Sequence, residues 1–482
     1  MKLGDCVTLI RGTTYKSSLL SESDGPVLLG LGSIERHGGF KKGAWKHYPG
    51  SSSPDIILHP GDLYVSLKDL TQACDLLGAV ARVPKYLTEG RLTQDTVKLH
   101  FQNNASEQVR QYVYWSLRSP QYRAYCKARG TGTTNMSLSR KDFLDWEIPT
   151  KTKGRDTLVQ LLELIELKLA LNSRLNDHLL EMALSEYKEL SRQSSSKRTL
   201  QDCTSLLCRG GAPKYCEKGK FHALNQRCIR NHKIDDANAR RIENPKSREK
   251  LLRYGDILIC STGTGTLGRS AQVLCHDERV TVDSHVTIVR PAYEALVEYL
   301  GCWALSSEDQ FESMAKGSTG QTELPRTELA ELEIGFPDAA SLNDFSGKTK
   351  PLFEAIQSNV RENQSLECLR DALLPKLMSG EIDISRIDLR QLNGHLAAYP
   401  IWPERKPHPQ QLLSEQFVMG ASALKVGCIA IYAPDEKPIA GIGNMAFIAS
   451  FPSARKPMHI VSVFEDLDGF GAVFQDKTND CF

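Results

Sequence analysis

An internal repeat constrains this chain more than any other sequence feature. The letters GDLYV at residues 61–65 return as GDILI at residues 255–259, and TQDTVKL at 93–99 has a counterpart in TVDSHVTI at 281–288. Further matches follow in the same order in both halves, at a nearly constant offset of about 190 residues. Each match alone is weak, but the shared order favours duplication over chance. Because a long-period repeat decides the organisation of a whole fold, we predict two related halves.

Both halves share one predicted order of secondary structure. Short apolar runs punctuated by Gly, Pro and Asp open each half and are typical of strands. A short helix follows, over 109–128 in the first half and 296–315 in the second, before a Gly/Thr loop and a strand that ends in proline. A long helix closes each half, over about 155–192 and about 348–378. The predicted fold class is α+β, with two β-rich domains alternating with two long helices.

The long helices carry apolar residues at three- and four-residue steps, which is the spacing of coiled coils. The stripe on the first helix consists of Leu158, Leu162, Ile165, Leu169, Asn172, Leu175, Leu179 and Met182. The contacts expected in the helix pair involve Ile165, Leu169, Asn172, Leu179, Ile356, Val360, Asn363 and Leu366. Asn172 and Asn363 occupy equivalent places, and a seam Asn fixes register at some cost in stability. We predict an antiparallel coiled coil with pseudo-twofold symmetry; the alternative is two amphipathic helices that each lie on their own half.

Composition excludes several classes of protein. A length of 482 residues predicts two to four domains at roughly 100–200 residues each. The 40% hydrophobic and 24% charged residues exclude a disordered chain, a collagen-like fibre and a pure coiled coil. The sequence contains no stretch of about 20 uncharged apolar residues, so it predicts no membrane-spanning helix. Asp5 lies where a signal peptide needs its apolar core, so we predict a cytoplasmic protein that does not contact a membrane.

The cysteines favour reduced thiols rather than a metal site. Thirteen are scattered along the chain, and no two of them have C-x-x-C spacing. Four of them bunch together, at Cys203, Cys208, Cys216 and Cys228, but they lack the tight pair that zinc sites use. We therefore expect no bound metal in this chain.

Positive charge is concentrated in two segments although the net charge is only +2. Residues 110–141 contain seven Lys/Arg and no Asp/Glu, interleaved with five Tyr and Trp residues. Residues 209–253 contain thirteen Lys/Arg against five Asp/Glu. Neutralisation of phosphate is a physical reason for such an excess. The alternative is a solvated basic face that acidic helices balance elsewhere, but two such segments favour nucleic acid.

One glycine-rich motif resembles a nucleotide-binding loop but is not followed by the helix that such a loop requires. Residues 261–268, STGTGTLG, contain G-x-G-x-x-G after a predicted strand, where a dinucleotide fold needs a helix next. The following letters, RSAQVLC, are instead typical of a strand, so we predict a hairpin that presents hydroxyl and N–H groups to a phosphate backbone. The sequence lacks the Pro-Pro strand end of a DNA methyltransferase and the H-E-x-x-H zinc helix. We therefore predict no reaction centre.

The order of these motifs resembles the specificity (S) subunit of type I restriction–modification enzymes. The resemblance rests on KLGD at 2–5, RG at 11–12, GD at 61–62, GDIL at 255–258, the hairpin at 263–268 and the loops at Gly130 and Gly317. Its most specific part is LRDALLPKLMSGEI at 369–382, which is similar to the end of the second spacer helix in that family. The similarity covers residues 1 to about 389. Two departures from the family pattern are expected: the sequence starts almost on the first domain's opening strand, and it continues about 90 residues beyond SGEI.

The resemblance implies a division of labour between this chain and its partners. Each β-rich domain would be a target recognition domain that reads one half of a split double-stranded DNA sequence. The paired helices would set the gap between the half-sites and dock two modification (M) subunits, which carry S-adenosylmethionine and methylate adenine. Two restriction (R) subunits, which use ATP and Mg²⁺, would join that core. This chain itself would be non-catalytic and hold no cofactor; the rival hypothesis is a protein-interaction scaffold with two β-rich modules on a coiled coil and no DNA role.

The resulting domain predictions place the first target recognition domain at 1–150, the central spacer helix at 151–195, the second target recognition domain at 196–340, the distal spacer helix at 341–389 and a tail of unknown role at 390–482. The residues expected to contact DNA are basic or small and polar, and lie in the basic segments or the Gly/Thr loops. They are Lys68, Arg123, Lys127, Arg129, Thr131, Thr133, Asn135, Thr262, Thr264, Arg269, Lys316, Ser318 and Gln321.

Overall fold

The computed structural model describes most of the chain up to residue 379 and three short segments beyond it. The described residues are 1–379 except 42, 44, 103–104, 150–152, 195, 275–278 and 318–321, together with 448–449, 458–466 and 469–475. The fold of this part is a mixture of helices and many short strands.

The helices are α1 (Glu107–Ser116), α2 (Pro120–Arg129), α3 (Arg140–Leu144), α4 (Lys153–Gln193), α5 (Val297–Ser306), α6 (Glu308–Ser313), α7 (Arg326–Glu331) and α8 (Ala339–Ser379). The strands before α4 are β1 (Val7–Arg11), β2 (Val27–Leu29), β3 (Ile57–Leu58), β4 (Leu63–Ser66), β5 (Lys68–Asp69), β6 (Val80–Arg82), β7 (Gly90–Leu92), β8 (Thr96–Phe101) and β9 (Met136–Ser137). The strands between α4 and α8 are β10 (Ser196–Thr199), β11 (Thr204–Arg209), β12 (Phe221–Leu224), β13 (Ile229–Arg230), β14 (Lys233–Ile234), β15 (Arg240–Ile242), β16 (Ile257–Cys260), β17 (Ser270–Gln272), β18 (Val280–Val282), β19 (Val286–Pro291) and β20 (Glu333–Phe336). The tail strands are β21 (Ile448–Ala449), β22 (Met458–Asp466) and β23 (Gly469–Gln475).

The chain divides into two compact units. Unit 1 contains Met1–Ala170 and the end of α8 from Gln364, and unit 2 contains Leu171–Asn363 with the tail strands. The tail strands form an antiparallel sheet in the order β21-β22-β23. The sequence of the tail also predicts strands at 426–432 and 445–451, and these residues, apart from 448–449, lie outside the described residues. Among the described residues, no helix has both the length and the apolar character needed to cross a membrane.

Unit 1 is built on an antiparallel sheet with the strand order β1-β8-β4-β6. A second sheet has the order β2-β7-β3, in which β2 is parallel to β7. All four residues of β4 are buried. A strand covered on both faces loses the alternation of polar and apolar residues, which explains the continuous apolar letters LYV. The core beneath these sheets includes Leu29, Leu58, Tyr64 and Leu92, each fully excluded from solvent.

Unit 2 has an antiparallel sheet with the strand order β11-β19-β16-β17 and a second sheet with the order β15-β12-β18, in which β12 is parallel to β18. Strand β16 is buried throughout and separates two hydrophobic clusters. Ile257 and Ile259 belong to one cluster, and Leu258 and Cys260 belong to the other. Successive side chains of a strand point to opposite faces, so one short apolar run serves two cores.

The helices differ from the predicted ones at their ends. The single helix predicted over 109–128 is two helices, because Ser119 caps α2 by accepting the Tyr122 N–H at 3.2 Å and Pro120 begins it. Helix α8 begins at Ala339 rather than near residue 348. The carboxylate of Asp338 accepts the Ser341 N–H at 2.9 Å and the Ser341 hydroxyl at 2.9 Å, so the helix starts at Ala339 with only two residues after the end of β20. Helices α4 and α8 are each 41 residues long.

Candidate nucleic-acid interface

The glycine-rich hairpin of unit 2 joins β16 to β17. The prediction that a strand rather than a helix follows the motif is confirmed, since residues 257–259 pair antiparallel with residues 270–272. Gly263, Gly265 and Gly268 all have positive φ, between 71° and 102°. A Cβ at Gly263 would lie 2.4 Å from the Thr266 hydroxyl, so this position admits only glycine. The motif thus serves a tight turn and offers no helix N-terminus to a nucleotide phosphate.

Three predicted contact residues lie on this hairpin. Thr262 is half-buried, and its Oγ1 lies 2.6 Å from Nδ1 of His285. Thr264 is exposed at the tip, and Arg269 is half-buried where the hairpin returns to the sheet. The hairpin therefore presents one exposed and two half-buried polar side chains.

The second Gly/Thr loop of unit 2 reaches the same hairpin. The backbone of Thr262 forms a β-bridge with Glu323, and Glu323 in turn exchanges two backbone hydrogen bonds of 2.8 Å with Lys316. The ammonium of Lys316 pairs with Glu328, while Arg209 pairs with the Glu323 carboxylate at 2.7 Å. Ser318 and Gln321 lie outside the described residues. Both cations near this loop therefore have acidic partners in the protein.

Unit 1 places its predicted residues on a comparable edge. Lys68 starts the two-stranded β5–β9 sheet, and its ammonium lies 2.9 Å from the Asp95 carboxylate. Thr131, Thr133 and Asn135 are all exposed on the loop that leads to β9. The backbone of Thr131 exchanges hydrogen bonds of 2.9 and 2.8 Å with Ser137, which holds this loop closed.

The three predicted cations of α2 have different surroundings. The guanidinium of Arg123 donates to the backbone carbonyls of Leu77 (2.7 Å), Cys74 (2.9 Å) and Asp75 (2.9 Å). Lys127 and Arg129 are exposed, although Arg129 lies 3.8 Å from the centre of the Tyr125 ring. Arg123 therefore holds the loop at residues 74–77, whereas Lys127 remains open to an external phosphate.

The aromatic residues of this basic segment belong to the protein core. Tyr112, Tyr114, Trp115 and Tyr122 are each 6% exposed or less. Tyr125 is half-buried and packs edge-on against Trp146, with ring centres 4.8 Å apart. These rings are therefore packed inside the protein rather than presented for base stacking. The spacing of these aromatic residues in the sequence is the same for a surface that stacks bases and for a buried core, so the sequence alone could not distinguish the two.

The second basic segment keeps more of its charge on the surface. Arg209, Lys233 and Lys250 have partners within unit 2: the Glu323 carboxylate, the Asp177 carboxylate and the Arg209 carbonyl. Other cations of the segment are exposed around the β12–β15 pair, namely Lys214, Lys218, Lys220, Arg240 and Arg241. Arg240 lies over the ring of Tyr215 at 3.4 Å, and that ring is itself 41% exposed. We call these five cations the basic edge of unit 2.

The long helices contact each other through asparagines in unit 2. The Asn172 side chain is 3% exposed and donates to Asn363 Oδ1 at 2.9 Å and to Glu362 Oε2 at 2.7 Å. One turn further, Asn359 donates to Asn176 Oδ1 at 2.7 Å, and Asn176 is 5% exposed. The contacts move up one helix as they move down the other, so these segments run antiparallel.

The apolar stripe predicted on α4 changes phase after Asn172. Leu175 is 43% exposed, whereas Asn176 and Ala183 are buried. The step after Asn172 is therefore four residues, where the predicted stripe took three. Of the other residues expected in the helix pair, Ile165, Ile356 and Leu366 are buried, and Leu169, Leu179, Val360 and Asn363 are half-buried.

An ionic and aromatic cluster in unit 1 joins the sheet to α4, and the sequence did not reveal it. Arg82 forms a two-pronged ion pair with Glu163, with N–O distances of 2.6 and 2.7 Å. Arg118 and the Tyr114 hydroxyl each donate to Glu166 Oε1, at 2.7 and 2.8 Å. Burial would raise the pKa of Glu166, but the charges of Arg118 and Arg82 outweigh it and lower that pKa. The partners lie 48 to 84 residues apart, so only tertiary structure brings them together.

The described residues contain no group of three or more His, Cys, Asp or Glu side chains that could hold a metal ion. Burial raises the pKa of the Cys203 and Cys126 thiols to about 11, so both stay protonated near neutral pH. Neither thiol is therefore poised as a nucleophile.

No family model matches this chain. It is 33% identical over 84 residues to the type I restriction enzyme HindI specificity subunit of Haemophilus influenzae, a match that covers 17% of this chain and 18% of that protein. The chain thus spans less than a fifth of the length of this curated relative.

Three solved structures are also similar. The S subunit of the type I restriction–modification system from M. genitalium has 17% identity and a TM-score of 0.44, covering 78% of this chain and 95% of its own. The HsdS subunit from Thermoanaerobacter tengcongensis has 14% identity and a TM-score of 0.28, covering 79% and 96%. A structure concerning complex assembly of the type I system has 14% identity and a TM-score of 0.33, covering 79% and 97%. By its aligned sequence, then, this chain resembles the specificity subunit of a type I restriction–modification enzyme.

Proposed function

We propose that this chain is the DNA-reading specificity subunit of a type I restriction–modification complex. The observation that carries the proposal is the 84-residue match to a curated specificity subunit. Under this proposal, residues 1–150 and 196–340 are target recognition domains that each read one half of a split site. The two long helices are the spacers, and the tail at 390–482 lies outside both domains and both spacers.

Exposed positive charge in each unit supports contact with a DNA backbone. Lys127 is exposed on α2 of unit 1, and the basic edge of unit 2 presents five exposed cations. Each phosphate neutralised by a cation releases counterions, which makes affinity fall with salt. Arg123, whose guanidinium is already hydrogen-bonded to backbone carbonyls, would contribute indirectly by holding the loop at residues 74–77 in place.

Matching strand orders support the internal repeat. The sheets β1-β8-β4-β6 and β11-β19-β16-β17 correspond strand for strand, and each unit has a second sheet with one parallel pair. Each half of the proposed DNA target would then meet the same framework with different side chains. The asparagine contacts support an antiparallel pairing of the two long helices. Under the proposal, the length of these helices sets the number of unread base pairs between the two half-sites.

The proposal assigns all chemistry to partner subunits. Two M subunits would dock on the spacer helices and bring S-adenosylmethionine, and two R subunits would bring ATP and Mg²⁺. The chain would then act in the cytoplasm, on double-stranded DNA, without a cofactor of its own.

A comparison of DNA methylation tests the proposal. The genome of the host is sequenced for modified bases with the gene intact and with the gene deleted. We expect a bipartite adenine-methylated motif that disappears on deletion and returns on complementation. An identical set of methylated motifs in both strains would refute the proposal.

The rival function is a protein-interaction scaffold without a DNA role. The observation that favours it is the burial of the aromatic rings at 112–122 and the internal use of Arg118 and Arg123, which removes part of the apparent DNA-binding surface. Binding to DNA measured between 50 and 200 mM salt separates the two functions. For a phosphate-contacting surface, the logarithm of the binding constant falls with the logarithm of the salt concentration with a slope of about −0.9 per contact. For a scaffold without a DNA role, we expect no such dependence.

A further inference from the structure

A polar cluster in unit 2 combines three side chains that are distant in sequence. Gln226 belongs to a short turn after β12, Thr262 follows β16, and His285 directly precedes β19. Thr262 Oγ1 lies 2.6 Å from Nδ1 of His285 and donates to Oε1 of Gln226 at 3.4 Å. We assign the threonine hydrogen to Gln226, so that the hydroxyl oxygen accepts Nδ1–H of His285; in this tautomer Nε2 is an acceptor.

The backbone around the cluster holds it in place. The His285 N–H donates to the Asp283 carboxylate at 2.9 Å, and the Ser261 N–H donates to the His285 carbonyl at 2.8 Å. The Asp283 N–H donates to the Leu224 carbonyl at 2.8 Å, which joins the turn to β12. A Cβ at Gly263 would lie 2.7 and 2.8 Å from the Gln226 amide atoms. Glycine at this position therefore lets the amide lie against the hairpin.

The cluster has unused hydrogen-bonding atoms at the surface. Within the described part of the chain, the Gln226 NH₂ group and Nε2 of His285 make no hydrogen bond, and His285 is exposed. The pair thus offers donors on one side chain and an acceptor on the other. Side chains held by a supporting hydrogen-bond network lose little freedom on binding, which favours selective recognition.

Unit 1 carries different chemistry at the corresponding place. Lys68 lies two residues beyond β4 and Asp95 directly precedes β8, as Thr262 and His285 do with β16 and β19. Lys68 and Asp95 form an ion pair of 2.9 Å, whereas the corresponding edge of unit 2 carries a hydroxyl, an amide and an imidazole. The same edge of two similar sheets thus differs in its hydrogen-bonding groups.

We propose that Gln226, Thr262 and His285 form a base-reading triad that discriminates one base pair of the DNA half-site bound by unit 2. The inference rests on the proposed function. Gln226 donates to an acceptor on the base edge, and His285 accepts from a neighbouring donor; an adenine presents this pattern in the major groove through N7 and the N6 amino group. Thr262 is a positioning residue, which polarises and orients the other two.

The test selects bound sequences from a randomised duplex library with the full-length protein. Wild-type protein is compared with Gln226→Glu, Thr262→Val and Thr262→Ser, and Lys218→Ala is the control from the basic edge. We expect Gln226→Glu to lose the preference at one base pair by roughly 5- to 140-fold, which corresponds to 1–3 kcal/mol of discrimination, and to favour a base that donates there. Thr262→Val weakens the same preference, and Thr262→Ser keeps it.

The outcomes separate the triad from the function on which it rests. No enriched sequence with wild-type protein would overturn the DNA-reading function itself. An enriched wild-type motif that Gln226→Glu leaves unchanged, in protein with wild-type circular dichroism, would overturn the triad alone. A weaker binding to all sequences by Gln226→Glu with the base preference unchanged would also overturn it, because the Gln226 amide would then contribute nothing to discrimination. Lys218→Ala should weaken binding to all sequences and leave the motif as it is.

Discussion

Replacement of Asn172 by alanine tests how much the asparagine contact stabilises the helix pair. The Asn172 amide is almost fully buried and donates to the neutral Asn363 Oδ1 and to the charged Glu362 carboxylate. A neutral hydrogen bond contributes about 0.5–1.5 kcal/mol and one to a charged group about 1.5–3 kcal/mol. We therefore expect Asn172→Ala to lower the free energy of unfolding by about 2–4 kcal/mol.

The partner substitution should cost less. Asn363→Ala removes only the neutral hydrogen bond, so we expect a loss of about 1 kcal/mol. The two changes remove the same contact, so the double variant should lose less than the sum, with a coupling energy of at least about 0.5 kcal/mol. A paired Asn172→Leu and Asn363→Leu variant should be more stable than either single leucine variant, because neither asparagine is then left without its polar partner.

Urea denaturation followed by circular dichroism measures these energies. The matched control is Glu181→Gln, at a position whose side chain is 76% exposed on the same helix, and its effect should stay within about 0.5 kcal/mol. Strict additivity of Asn172→Ala and Asn363→Ala would refute the reasoning, since independent sites do not share a contact.

Three further tests probe other parts of the molecule. Leu162→Ala removes buried methyl groups and should lower the free energy of unfolding by about 2–5 kcal/mol. Leu175→Ala, at an exposed position, should lower it by about 1 kcal/mol or less. Equal losses measured by urea denaturation would instead support the predicted three-residue step from Asn172 to Leu175. Lys127→Ala should flatten the salt dependence of DNA binding by about 0.9 per phosphate contact, whereas Arg123→Ala should lower the thermal midpoint and leave the slope unchanged; the reverse pattern would place Arg123 on DNA. Because the folded-state pKa of Glu166 is lowered, its charge stabilises the protein above the usual carboxyl pKa of about 4.3, and this contribution is lost as pH falls through the folded value. Wild-type protein should thus exceed Glu166→Gln in stability at pH 7 by more than at pH 3, and a pH-independent gap in urea midpoints would contradict the ion-pair role.

Local sequence determined the features that depend on near neighbours. Two long helices follow from apolar residues at three- and four-residue steps, and α4 lies within two residues of its predicted ends. The strand predicted after the glycine-rich motif, from the letters RSAQVLC, is present as β17. Asn172 and Asn363 were recognised by their equivalent positions, and they lie in hydrogen-bond contact. The late start predicted for α8 was wrong because the Asp338 cap was overlooked.

Tertiary structure decided which polar and aromatic side chains remain available. In the sequence Arg123 and Lys127 look alike, yet one binds three carbonyls of a loop about 48 residues away and the other is exposed. The triad of Gln226, Thr262 and His285 likewise forms only where three turns meet at one edge of a sheet. Periodicity reports which face of an element is apolar, but not which distant groups face it. Hydrogen bonds and ion pairs depend on distances of a few ångströms between such groups, so they are set only when the elements pack.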